Sequence, residues 1–288
     1  MFYYKKTAME KIQKILVPTD FSQAAQHAFV YALRMADRLE ASVHLLHVIY
    51  PQVDSFDAPI IATQATRAQI DAAKEVMITF SDAGIAEVSK ELTHEAEVTS
   101  SVEVGSAVAV INSVAEKELF PLIIMGTRGE HSTLEKLLGT VASGVVGHAP
   151  CPVVVVPETA GLKDILRVAY ATDLQLADSY EIWRVAKLLA PFHTIMHVVH
   201  FGDQEKKGAA PRLEELESFF QDNAPALQIQ FHQFAQEELT DDINAFADQY
   251  GIDLLVMYRT HRSFPDRLFH RSRTKAMSKK TKVPLLVM

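Results

Sequence analysis

Gly126-Thr127-Arg128-Gly129 follows directly on the apolar run Leu122-Ile123-Ile124-Met125, and Gly139-Thr140 comes after nine further residues. Glycine just past a buried strand, and again ahead of a helix, lets backbone N–H groups approach a phosphate chain closely, and the helix N-terminus adds a favourable dipole. The spacing therefore points to a phosphate-bearing ligand. Three side chains stand where they could join in: Arg128 as a cation over the phosphates, the Thr140 hydroxyl as an extra donor, and Ser143 one turn further on. Plainer roles exist for the same residues, since glycines serve turns, a loop arginine is often solvated and a threonine can cap a helix. Upstream, Val17-Pro18-Thr19-Asp20 ends another apolar run in a carboxylate. That group can accept hydrogen bonds from ligand hydroxyls or simply support a helix dipole.

Other chemistry is poorly provided for. No Ser/His/Asp set or carboxylate pair stands at a persuasive spacing, and phosphate-cradling glycines supply no general base, so binding is expected rather than catalysis, with slow hydrolysis as the most it offers. His193 and His197 would share one face of a strand and His200 the other, which argues against a compact three-ligand metal site. The single cysteine, Cys151, lies between two prolines. It reads as a buried thiol in a reducing compartment.

These residues need a scaffold of short apolar runs alternating with helical patterns, the signature of βαβ units and a parallel sheet covered on both faces. A strand over residues 12–18 leads to a helix capped by Ser22, whose Ala25, Ala28, Phe29, Ala32, Leu33 and Ala36 recur at helical spacing. Strands follow at 43–49, 98–104, 122–125 and 153–156. A helix over 65–81 lies between the second and third, and a helix capped by Ser106 carries Val108, Ile111, Val114 and Leu119 toward the sheet.

The whole frame then recurs. Lys14 to Asp20 returns as Arg167 to Asp173, each ending in Thr-Asp; Val43 to Val48 is matched with Thr194 to Val198; and Gly105 to Val156 lies over Glu237 to Met288 without a gap. A duplicated unit with five parallel strands per copy follows, with the boundary in the aperiodic stretch near 157–163. Both last strands, Pro152 to Val156 and Pro284 to Met288, are short and apolar. Such edges invite pairing, so the two are expected to pair with each other as a built-in pseudo-dimer.

The spacing Gly126-x-x-Gly129-x9-Gly139-Thr140, the opening strand ending in Asp20 and the Pro-led final strands resemble the universal stress protein family in its tandem form, across essentially the whole chain. The resemblance implies an α/β fold of two tandem Rossmann-like domains, of the adenine nucleotide alpha hydrolase-like kind: residues 1–157 with an intact motif and 164–288 degenerate. It implies ATP as ligand, with an accompanying Mg²⁺ left open, pairing through the final strands, a further homodimer left open, and a regulatory role in stress. Pro18, Thr19 and Asp20 would then belong to the site, with Asp20 on the ribose. The backbone of Val48 would meet the adenine edge. Gly126, Gly129, Gly139 and Thr140 would cradle the phosphates, with Arg128 and Ser143 as lesser members.

In the second copy Tyr258, His261, Arg271 and Ser272 replace Gly126, Gly129, Gly139 and Thr140. One nucleotide, in the first copy, is therefore expected. Residues 259–282 carry a net charge of +8 within a chain of net charge −8, and Arg267, Arg271, Lys275 and Lys279 share a helical face. That leaves an alternative function, capture of an acidic partner through a basic helix without any nucleotide. The overall negative charge argues against a general nucleic-acid binder. With 48% hydrophobic residues but no early apolar stretch long enough for an export signal or a membrane span, a cytoplasmic protein is expected.

Overall fold

The computed structural model describes residues 12–50, 59–94, 96–127, 139–174, 178–202, 209–222, 227–235, 239–258 and 283–288. The first half runs β1 (Lys14–Thr19), α1 (Gln23–Leu39), β2 (Ser42–Ile49), α2 (Pro59–Val88), β3 (Val98–Val104), α3 (Ala107–Lys117), β4 (Ile123–Gly126), α4 (Thr140–His148) and β5 (Val153–Val156). The second runs β6 (Arg167–Thr172), α5 (Asp178–Leu189), a 3-10 turn at Ala190–Phe192, β7 (Ile195–Phe201), α6 (Ala209–Asp222), β8 (Gln228–Phe234), α7 (Leu239–Tyr250), β9 (Leu254–Met257) and β10 (Leu285–Val287). All ten strands form one sheet in the order β3-β2-β1-β4-β5-β10-β9-β6-β7-β8. Each half is a Rossmann-like parallel sheet. The antiparallel pairing of β5 with β10, Val154 opposite Leu286, joins the halves edge to edge.

The inner strands of each half are buried on both faces, which is why they read as apolar runs, whereas the outer strands β3 and β8 alternate and have no fully buried residue. Helices α1, α2, α5 and α6 cover one face, where Ile15, Val17, Phe29 and Tyr170 lie in a shared core. Helices α3, α4 and α7 cover the other, with Leu16, Leu46, Ile123 and Leu255. Ser22 caps α1 as expected, its Oγ accepting from the N–H of Ala25 at 3.2 Å.

Several sequence expectations are corrected. The second helix runs from 59 to 88 rather than 65–81, because Pro59 suits a first helical position and Met77, Phe80 and Val88 continue the buried stripe. Ser106 stands at the N-cap of α3, yet its hydroxyl makes no capping bond. Leu119 does not face the sheet: it lies beyond the end of α3 with φ 55° and is 80% exposed. Its φ allows Phe120 N–H to reach the carbonyl of Ala115 at 2.9 Å, a helix-ending bond of the Schellman kind. His193, also at positive φ, precedes β7 instead of sharing it with His197. The second-strand match shifts by three residues, since Thr19 pairs with His47 and Thr172 with His200. His47 therefore corresponds to His200, and Val48 to Phe201.

Candidate functional site

In each half the chain winds from the first strand outward to the third and then returns to place the fourth on the other side of the first. The crevice at that reversal, outside the carboxyl ends of β1 and β4, is where open α/β sheets bind ligands. The first half has a cavity of about 420 Å³ there, within the roughly 300–1,000 Å³ of small-molecule sites. Pro18, Thr19 and Asp20 from the end of β1, Val48 from β2, Gly126 from β4, and Gly139 and Thr140 at the start of α4 all line it. Ser143 is exposed on α4 and is not part of that lining. Arg128 and Gly129 lie outside the described residues.

Helix α4 begins at the cavity wall with Gly139 as its N-cap and no side-chain capping bond. The first amide to find a carbonyl one turn back is that of Ser143, bonded to Gly139 at 2.9 Å. The N–H groups of Thr140, Val141 and Ala142 are thus of the kind a helix leaves unsatisfied, and they carry the positive end of its dipole. Thr140 is the first helical residue rather than the cap. Asp20 is the sole carboxylate among the described lining residues. Lining one cavity, a carboxylate suited to hydroxyls and a helix end suited to an anion fit a ligand with a sugar and a phosphate. Between them Leu46, Ala107, Ile111, Met125, Val141 and Ala142 add apolar wall.

The turn holding Asp20 is tightly specified. Thr19 Oγ1 accepts from the N–H of Phe21 at 3.0 Å, and Asp20 Oδ1 accepts from the N–H of Ser22 at 3.0 Å. Phe21 adopts φ 62°, an unfavourable value for a bulky side chain. His47 Nδ1–H donates to the carbonyl of Thr19 at 2.8 Å, and its ring stacks on Phe21 with centroids 4.4 Å apart. His47 and Phe21 are the site residues that sequence reasoning missed. The signal for His47 lies in its second-half counterpart, which the misaligned second strand concealed.

Gly126 has a different role from the one its motif suggests. A Cβ there would lie 2.5 Å from the carbonyl oxygen of Ala24, so the residue is glycine because α1 crosses β4 at close range. Its counterpart Tyr258 correspondingly packs on the α1 and α5 side of the sheet. At the end of β7 the second half also differs. Phe201, in the place of Val48, is buried against Phe234 and Phe246, with ring centroids 6.0 and 6.1 Å away. The turn beneath it survives: Thr172 Oγ1 accepts from Leu174 N–H at 2.8 Å, Leu174 has φ 58°, and His200 Nδ1–H donates to the carbonyl of Thr172 at 2.9 Å. Asp178, buried beside it, accepts from the hydroxyls of Tyr170 and Thr172. Burial and that carboxylate push the Tyr170 phenol far above its ordinary range.

The sequence profile of the universal stress protein family matches residues 11–157. A universal stress protein of Methanocaldococcus jannaschii is 30% identical over 151 residues, covering 50% of this chain and 81% of the relative. One from Mycobacterium tuberculosis is 29% identical over 142 residues, 49% of this chain, which spans 46% of that relative's length. Among solved structures, a universal stress protein from Archaeoglobus fulgidus has the same fold over 96% of both chains, with a TM-score of 0.68 at 17% identity. A functionally unknown protein from Pseudomonas aeruginosa does so over 97% of this chain and 93% of its own, with a TM-score of 0.59 at 16% identity. With residues 11–157 matched by the family's profile and the fold shared with a solved universal stress protein over 96% of its length, the chain belongs to the universal stress protein family.

Proposed function

We propose that the protein is an ATP-binding regulatory module of the stress response with one nucleotide site, in the unit spanning residues 1–157. The unit spanning 164–288 is its degenerate mate, and the β5–β10 seam makes the two an intramolecular pseudo-dimer. The observation that carries the reading is the first-half cavity, which sets the Asp20 carboxylate against the open N-terminus of α4. In this arrangement Asp20 accepts hydrogen bonds from the ribose, the backbone beside Val48 meets the adenine edge, and the α4 amides receive phosphate oxygens. Arg128 and Gly129 complete the phosphate loop. A Mg²⁺ ion accompanying the phosphates would find only Asp20 as a carboxylate among the described lining residues, so most of its ligands would be phosphate oxygens and water.

Copying the second half into the first supplies the test. Val48→Phe reproduces Phe201 and is expected to abolish ATP binding in a calorimetric titration while the melting temperature of the ligand-free protein holds. Asp20→Ala should weaken binding by about ten-fold or more, the effect of losing a charged hydrogen-bond acceptor. Wild-type affinity in both variants would place the nucleotide elsewhere.

A further inference from the structure

We infer that His47 is a positioning residue for the ligand site, acting through the carbonyl of Thr19 to fix the turn that presents Asp20. The inference rests on the nucleotide reading above. It begins from the backbone. Residue 21 is a phenylalanine in the left-handed region, a conformation that a bulky residue keeps only when its surroundings over-determine it. Two restraints come from within the turn, where Thr19 Oγ1 holds the N–H of Phe21 and Asp20 Oδ1 holds that of Ser22. Both are local and would travel with the turn if it moved. Beyond the backbone ladder between β1 and β2 and the contact of Phe21 with Phe80, the His47 side chain ties the turn to the neighbouring strand, through the bond from Nδ1 to Thr19 and through the ring stacked on Phe21.

The second half carries the same device in a more buried setting. His200 makes the same bond to Thr172, and Leu174 takes the same left-handed place. There the ring is buried, and the backbone of Gly202 closes on it, since a Cβ at Gly202 would lie 2.3 Å from His200 Nε2. His47 is half-buried and lines the first-half cavity. The duplicated bond builds the turn in both halves, and in the first that turn sets the Asp20 carboxylate at the cavity.

Replacing each function of the ring separately tests the inference. His47→Phe keeps an aromatic ring against Phe21 but has no donor for Thr19, and ATP affinity should fall about ten-fold, the worth of one positioning hydrogen bond. His47→Asn places an amide N–H close to where Nδ1 stood and should recover most of that loss. His200→Phe should lower the melting temperature and leave ATP affinity at the wild-type value. Wild-type affinity in His47→Phe, or an Asn variant no better than the Phe variant, overturns the inference. The imidazole ¹⁵N spectrum of the unaltered protein judges the bond even if His47→Phe fails to fold. The Nδ1–H tautomer is expected for His47, and the Nε2–H tautomer contradicts the inference. A wild-type protein that binds no ATP defeats the nucleotide reading itself, an outcome distinct from either of these.

Discussion

Gly126 at the end of β4 is required by a close backbone approach, whereas Gly251 beyond α7 stands at a left-handed position that its counterpart fills with leucine. At Gly126 an added methyl meets the peptide of Ala24, which cannot rotate aside as a side chain would. Gly126→Ala should therefore cost about 1–3 kcal/mol of ligand-free stability, as other overpacked sites do. Denaturant unfolding without nucleotide reads it, and an unchanged midpoint would mean that α1 yields. At the ends of α3 and α7 the same left-handed position is Leu119 in one half and Gly251, with φ 60°, in the other. Leu119→Gly removes an exposed side chain from a strained φ and should stabilise by about 0.5–1 kcal/mol. Destabilisation would contradict that reading. The glycine spacing was legible in the sequence, but its reason at Gly126 was not, because nothing local reports how closely α1 passes over β4.

Among elements, strands were easier to place than helix ends. Residues 153–156 were legible to the residue, since the four consecutive valines of β5 admit little else. Helix α2 reads as shorter in the sequence because Pro59 serves a loop as well as a first helical turn, and Ser81, Asp82 and Gly84 resemble a helix end. Strand β7 was misaligned because His197 and His200 both resemble His47 when read as letters, and only the register with β6 separates them. A different pair, His197 and His232, gives β7 and β8 a pH response. His197 Nδ1 and His232 Nε2 share a hydrogen bond at 3.0 Å, beside Phe246 and Tyr250. Burial, each ring's partner and the nearby Arg167 hold His197 below the ordinary value of 6.5, and burial does the same for His232. A depressed histidine pKa means that the unfolded chain binds more protons, so this contribution is complete above about pH 6.5 and is lost as the pH falls through the folded values. The melting temperature should drop on acidification from pH 7.5 to 5.5, and the drop should be smaller in His197→Phe/His232→Phe. Equal slopes would remove the pair from the account.

At the scale of the molecule, one sheet carries two halves of common design and unequal use. The repeat was legible because the 132-residue offset holds without a gap: β4 pairs with β5 in the register Ile123 to Val153, and β9 with β10 in the register Leu255 to Leu285. That the second half departs from the motif was legible too, at Tyr258. What replaces Val48 was not, since Phe201 looked like any other apolar strand residue until the register matched it to Val48. Among the described residues no helix is long and apolar enough to cross a membrane. The basic stretch 259–282 lies outside them. If the two halves together hold a single nucleotide, native mass spectrometry of the intact chain with excess ATP counts it. One ATP per chain, lost in Val48→Phe, is the expected result, whereas two per chain, or none, would contradict it.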